Sequence, residues 1–370
     1  MKFIFRIISL LTALILLASA YGGWFDPRVW ALPAVAHLAL PVVLGLVIIV
    51  ALTCLLMRQW RALLIVAVAV LLAWPVIHLH MPLRGARGGA DSVTTFRVMT
   101  YNVAGFDMEA KTLRYILDQD DDFVVLQETS LGPVDFSDLP QHVDLREELE
   151  QKYPYHSQGY HDLAILSKLP YTVFNDTTLK QGMGSPDDIL GEYHFYAKAF
   201  DLQVAGMPLR IVNVHLQSIG LNENDKELYK KLTRNELETR GDMSQVRHSL
   251  LSKLAGAFKR RANEAHQLRD FLNDTGSAPN VIVCGDFNDT PGSYSYRTIR
   301  GKDLNDAYAE CGRGPVFTFN RDRFYFNIDH ILYRGGLQAI DYRLDRAGGS
   351  DHYPQLVTFA IMPESDGSTN

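Results

Sequence analysis

A chain of 370 residues has room for one large domain and an appended region, and a formal net charge of −6 argues against a protein that grips long polyanions by bulk charge. Hydrophobic residues make up 47% of it, an ordinary share, but they are crowded towards one end. Cys54, Cys284 and Cys311 lie far apart, which excludes a disulfide framework or a cysteine-rich zinc site and reads as three free thiols.

Residues 7–25, 29–57 and 62–83 carry no Asp, Glu, Lys or Arg. As a helix, each run is long enough to cross about 30 Å of hydrocarbon. The sequence therefore predicts about three transmembrane helices within a membrane region at 1–83. The first run also has features of a cleaved signal peptide, with Lys2 and Arg6 before it and Ala18-Ser19-Ala20 as a small-residue site. Two more runs directly after it favour a retained helix. Lys2 and Arg6, and then Arg58 and Arg61, mark cytoplasmic ends, so three spans put the rest of the chain on the other side. Arg84 and Arg87 pull weakly against this orientation.

Residues 84–95, Gly-rich and polar, read as a tether, 96–362 as a folded domain and 363–370 as a flexible tail. Beyond residue 87 there are 29 basic and 41 acidic residues, a balance of −12. A phosphate-bearing substrate would need local positive charge there, which a divalent cation supplies. In chain order, "TFRVMTYNVAG" is a strand ending at Asn102, "AKTLRYILDQD" a helix, and "DFVVLQET" an apolar strand ending at Gln127 and Glu128. "LAILSKLP", "YTVFNDTTL" and "GEYHFYAKAFDL" follow as strands, then "LRIVNVHLQS", which closes on His215. Residues 221–262 are charged and helical in propensity, read first as a solvated excursion and second as a basic lid that includes Lys226, Lys230, Lys231, Arg234, Lys259, Arg260 and Arg261. "NEAHQLRDFL" is a helix, "VIVCGDFNDTP" a buried strand ending at Asp286, and "FNIDHILYR" and "SDHYPQLVTFAI" the last strands. Strands that are wholly apolar belong to sheets covered on both faces.

Five of these strands end or begin in functional groups: Asn102, Glu128, His215, Asp286 with Asn288, and the pair formed by Asp329 with Asp351 and His352. One such ending is an ordinary turn. Five imply a common edge lined with carboxylates, amides and imidazoles. Carboxylates gathered there raise one another's pKa, and a hard divalent cation relieves the repulsion. Oxygen donors without cysteine favour Mg²⁺ or Mn²⁺. Such a site suits attack of water on a phosphodiester.

"MTYNV", "LQE", "NVHLQS", "GDFNDTP", "IDHIL" and "SDHYP", in this order, resemble the motifs of the endonuclease/exonuclease/phosphatase (deoxyribonuclease-I-like) superfamily, over roughly residues 96–362. The hydrophobic head resembles that of membrane-attached bacterial members. The resemblance implies an α/β fold, a four-layer sandwich of two packed β-sheets flanked by helices, and a Mg²⁺- or Mn²⁺-dependent phosphodiester hydrolase at the bacterial inner membrane. It implies Glu128 as main metal ligand, with Asn102 and Asp351 beside it. Asp286 would orient or deprotonate the attacking water, Asn288 hold a phosphate oxygen, His215 contact the phosphate or help the leaving group, and His352 bind the scissile phosphate, held by Asp329. Tyr160 and His161 are weaker expectations for substrate contact. The superfamily often has an arginine before the Ile-Asp pair, where this chain has Asn327.

Taken singly, Asn102 would read as a turn cap, Glu128 as a solvated edge residue and His215 as a core histidine. Asp289, His330, Tyr294 and Tyr296 read as structural. The substrate expected is nucleic acid, or a phospholipid head group or other phosphoester. The opposed reading is a catalytically silent phosphate-binding module, and a third is a scaffold in which the spans matter most. The sequence implies no protein partner.

Overall fold

The computed structural model describes residues 2–87, 93–104, 110–129, 143–157, 163–174, 196–219, 240–274, 278–321, 324–346 and 349–362. The chain divides into two units. One comprises Met1–His80, Gln217–His266 and Thr290–Ile299, and the other Met81–Leu216, Gln267–Asp289 and Arg300–Asn370.

The first unit holds helices α1 (Lys2–Tyr21), α2 (Leu32–Leu38), α3 (Leu40–Leu56) and α4 (Trp60–His80). Their shared core is a stripe of small and branched residues, among them Leu16, Ala20, Leu40, Val47, Ala69 and Ala73. Small side chains let helix backbones approach closely. Large apolar residues such as Phe3, Leu11, Val42, Ile49, Leu64 and Leu71 point outward. Two helices, Lys2–Trp24 and Trp60–His80, are long and apolar enough to cross a membrane. The expected third span is a bent pair, α2 and α3, turned by 60°, so there are three spans only if that pair counts as one. The break falls at Ala39, just ahead of Pro41, whose ring removes a backbone donor and restricts the residue before it.

The second unit is built on two six-stranded mixed sheets. Strands β1 (Thr95–Asn102), β2 (Phe123–Gln127), β3 (Tyr155–His156) and β4 (Leu163–Ser167) lie in one sheet with β13 (Leu337–Leu344) and β14 (Gln355–Ile361), in the order β13-β14-β1-β2-β4-β3. The other sheet has β5 (Tyr171–Phe174), β6 (Ala197–Val204), β7 (Met207–His215), β8 (Val281–Asp286), β9 (Asn305–Asp306) and β12 (Asp329–Arg334), in the order β5-β6-β7-β8-β12-β9. A separate hairpin joins β10 (Phe319–Arg321) to β11 (Phe324–Phe326).

Alternation along each strand explains the layers. Val98, Phe123, Val125 and Ile165 of the first sheet meet Phe200, Ile211, Ile282, Cys284 and Ile331 of the second in one core. The intervening residues Met99, Tyr101, Val124, Leu126 and Leu166 face outward onto α5 (Ala110–Asp118) and α6 (Val143–Lys152) through Leu113, Ile116, Leu117 and Leu149. A pleated strand with both faces covered must be apolar at every position. On the outside of the second sheet, Phe271, near the end of α7 (Arg240–Asp274), lies 5.8 Å from Phe174. Of the basic excursion, residues 221–239 lie outside the described residues. Arg261 in α7 is buried and donates from Nη1 to the carbonyl of Gln217. Residues 82–87 run along the second unit: Gly314 donates to the carbonyl of Pro82, and Arg87 N to that of Ile340.

Candidate active site

Strand register brings the polar ends together. β7 and β8 are parallel and pair His215 with Asp286, while β8 and β12 are antiparallel and pair Asp286 with Asp329. Three chain segments far apart in sequence therefore end side by side. In the facing sheet, parallel β1 and β2 pair Asn102 with Gln127, which leaves Glu128 next along. The two edges meet where Asn102 Nδ2 donates to Asp286 Oδ2 and to Glu128 Oε1, both at 3.0 Å.

The backbone is forced at three points. Gly285 has φ +137°, and a Cβ there would sit 2.0 Å from the carbonyl oxygen of Val214. Only glycine allows strands β7 and β8 to come together just before the carboxylate of Asp286. Glu128 and Asn288 are left-handed, at φ 53° and 50°. An L-residue pays about 1–2 kcal/mol for that conformation, least for Asn. Two functional candidates thus sit on strained backbone, where such strain tends to gather.

Asp286 is the hub. Its Oδ1 accepts from the Asn288 backbone at 2.7 Å, and its Oδ2 lies 3.7 Å from His352 Nε2 and 3.9 Å from His215 Nε2. Burial, and then the charge of Asp329, push its carboxyl up to about 6. His352 Nδ1 is 2.9 Å from Asp329 Oδ2. Burial alone would lower the pKa of this imidazole, but the charges of Asp329 and Asp286 prevail and raise it to about 9. His215 Nε2 is 3.7 Å from Glu128 Oε1. Two groups could each close on a cation: Glu128, His215 and Asp286, and Asp286, Asp329 and His352, with donor atoms within 4.8 Å of one another in each. Their oxygen and imidazole donors, without a thiolate, fit a hard divalent ion.

The other expectations fall as follows. Asn102 turns its amide nitrogen to the carboxylates, while its oxygen accepts from Ala104 N, so in this arrangement it holds the acids rather than offering an oxygen to an ion. Asn288 Nδ2 donates to the Leu216 carbonyl, which fixes the amide beside Asp286. Asp351 pairs with Arg321 at 3.1 Å and belongs to neither cation group. Tyr160 and His161 lie outside the described residues. His330 turns away from the site, its Nε2 2.8 Å from the Asp289 carbonyl and its ring against Phe287. Tyr296 is buried, and Asn327 Oδ1 has no hydrogen-bond partner among the described residues.

Sequence reasoning missed several supporting groups. Ser350 donates to the Asn102 carbonyl and accepts from His352 N, and Thr318 Oγ1 accepts from Ile328 and Asp329. Asn213 bridges the sheets, donating to the Leu126 and Ala164 carbonyls and accepting from Gln127 Nε2 at 2.7 Å. Phe319 lies across the His352 ring at 5.0 Å. Asn213 and Ser350 sit within or beside quoted motifs, yet only the fold reveals their partners.

A family model described as Endonuclease/Exonuclease/phosphatase family matches residues 99–352. The chain belongs to this family. A second model, a domain of unknown function, matches residues 2–80. No curated protein sequence matches significantly. Solved structures are similar to this chain over most of its length. An endonuclease/exonuclease/phosphatase from Bacteroides vulgatus is 18% identical, with 72% of this chain and 99% of that one covered and a TM-score of 0.46. ANGEL2, a 2',3'-cyclic phosphatase in complex with adenosine-2',3'-vanadate, is 15% identical, covering 74% and 98%, with a TM-score of 0.44. Truncated Caenorhabditis elegans TDP2 is 16% identical, covering 72% and 98%, with a TM-score of 0.43. The endonuclease/exonuclease/phosphatase domain of this chain thus carries a cluster of buried acids and imidazoles at the strand ends, and family membership makes it a phosphoesterase domain.

Proposed function

We propose that the chain is a membrane-anchored phosphodiester hydrolase that depends on Mg²⁺ or Mn²⁺ and works by in-line attack of water. The observation that carries this reading is the sharing of Asp286 between the two acidic groups, one with Glu128 and His215, the other with Asp329 and His352. Glu128, with Asp286 and His215, would hold the cation, which would polarise a phosphoryl oxygen and offset charge in the transition state. Asp286, fixed by Asn288 N and Asn102 Nδ2, orients the water and accepts its proton. His352, kept cationic by Asp329, faces the phosphate. Asn288 offers its remaining amide hydrogen to a phosphate oxygen. Asp351 remains a candidate carboxylate on the metal side once released from Arg321.

The long apolar helices support the anchor, and Lys2, Arg6, Arg58 and Arg61 at their other ends support an extracytoplasmic catalytic domain in a bacterial inner membrane. The −12 balance beyond residue 87 favours a compact phosphoester, such as a lipid head group, over long nucleic acid. The test is a panel of phosphoesters offered to the full-length protein in nanodiscs: a generic diester, plasmid DNA and phospholipid, with Mg²⁺, Mn²⁺ or EDTA. Turnover with metal and none in EDTA is expected. Equal turnover in EDTA, or none on any substrate, would refute the reading.

A further inference from the structure

We infer that His37 is a positioning residue for the active-site loop, so that the helical N-terminal unit serves the reaction as well as attaching the protein. The inference rests on the reading of Asp286 and Asn288 as catalytic. The loop that begins at Asp286 starts in the sheet unit, which runs to Asp289, and continues in the helical unit, which takes Thr290–Ile299. Its first half is fixed by the Asn288 bonds to Asp286 and to the Leu216 carbonyl and by the contact of the Asp289 carbonyl with His330. Its second half is fixed by the helices.

His37 lies on α2 and is 1% exposed. Its Nε2 is 3.1 Å from the carbonyl oxygen of Pro291, and its Nδ1 is 2.9 Å from that of Ser19 on α1. One ring therefore spans a helix of the N-terminal region and a backbone carbonyl three residues after Asn288. The packing around it leaves little room to compensate. A Cβ on Gly23 would lie 2.1 Å from the carbonyl oxygen of Gly292, and a Cβ on Gly292, at φ +81°, would lie 3.3 Å from Val76 and 3.4 Å from the His37 ring. Further along the segment, Tyr294 donates to Asp26 at 3.2 Å and Arg297 stacks on Trp24 at 3.3 Å. These contacts grip residues 294–297, whereas His37 meets a carbonyl closer to the catalytic asparagine.

Catalytic groups need to be held to about 0.5 Å, and a shift of about 1 Å costs on the order of 100-fold in rate. A purely architectural histidine would affect insertion or folding and leave turnover per folded molecule alone. A positioning histidine changes kcat and leaves substrate binding alone.

The experiment uses full-length protein in nanodiscs of neutral lipid, with Mg²⁺ and bis(p-nitrophenyl) phosphate. His37→Ala is expected to lower kcat by about 10- to 100-fold with KM little changed. Hydrogen exchange should quicken at residues 287–293 and stay slow in β8. His37→Gln keeps an amide donor and should recover part of the loss, and it carries the comparison if the alanine variant does not fold. Leu52→Ala, exposed on α3, should match wild type. Wild-type kcat and exchange in both His37 variants, or a loss that only tracks the amount of folded protein, would overturn the inference. If wild type hydrolyses no phosphoester, the proposed function fails, and the exchange rates at 287–293 alone then decide whether His37 positions the loop.

Discussion

Nδ1 of His352 lies 2.9 Å from Oδ2 of Asp329, with both side chains buried, and the opposite edge of the ring faces Asp286. In the proposed mechanism the protonated imidazole of this pair faces the phosphate, and activity then depends on pH from two sides.

In the proposed mechanism Asp286 acts as the carboxylate, which forms as pH rises through about 6, and His352 as the imidazolium, which is lost as pH rises through about 9. The rate should therefore follow a bell with limbs near these values, the acid limb moving lower as a bound cation favours the carboxylate. Asp329→Asn removes the charge that holds the imidazolium, so the alkaline limb should move down. A pH–rate profile of wild type and variant checks this, and an unmoved alkaline limb would count against His352 as the group responsible.

Asp286→Asn keeps the shape of the hub and removes the proposed base. Loss of kcat by about 100- to 10,000-fold is expected, with circular dichroism unchanged. Steady-state kinetics on a diester measures it.

Gly285→Ala places a methyl group 2.0 Å from the Val214 carbonyl oxygen on a backbone with φ +137°. Strands β7 and β8 would have to part at the point where His215 and Asp286 pair. Destabilisation of about 3 kcal/mol or more is expected, read as a lowered thermal midpoint or loss of folded protein.

Asp121 lies at the far end of β2 from the site. It is buried, and its carboxylate oxygens have no hydrogen-bond partner among the described residues, though Arg97 Nε is 3.7 Å away. Burial, only partly offset by Arg97, pushes its carboxyl up to about 6, from 3.8. The folded state thus holds a proton that the unfolded chain releases earlier, and this contribution to stability is full below pH 3.8 and lost as pH rises through about 6. Asp121→Asn should raise stability above pH 6 by on the order of 2–3 kcal/mol, the gain shrinking towards pH 4. Thermal melts at pH 4.5 and 8 measure it.

Much of the site was legible because each strand announced its end. An apolar run followed by Asn102, Glu128, His215 or Asp286 needs no tertiary knowledge to be noticed. What could not be read was partnership. Asn102 and Asp286 are 184 residues apart, and nothing local says that the amide turns its nitrogen to the acid. The pairing of Asp351 with Arg321 depends on a hairpin that no motif marks. The bend between α2 and α3 was hidden because hydropathy averages over a proline that geometry does not ignore. His37 looked like one more residue of an apolar run.

Binding of Mn²⁺ to the full-length protein, followed by its electron paramagnetic resonance signal, tests most directly whether these strand ends form a single cation site. Wild type should take up the ion stoichiometrically, Glu128→Gln should weaken uptake at least tenfold, and catalysis should fall in step. Undiminished binding in Glu128→Gln, or full hydrolysis by a protein that holds no divalent ion, would contradict the account.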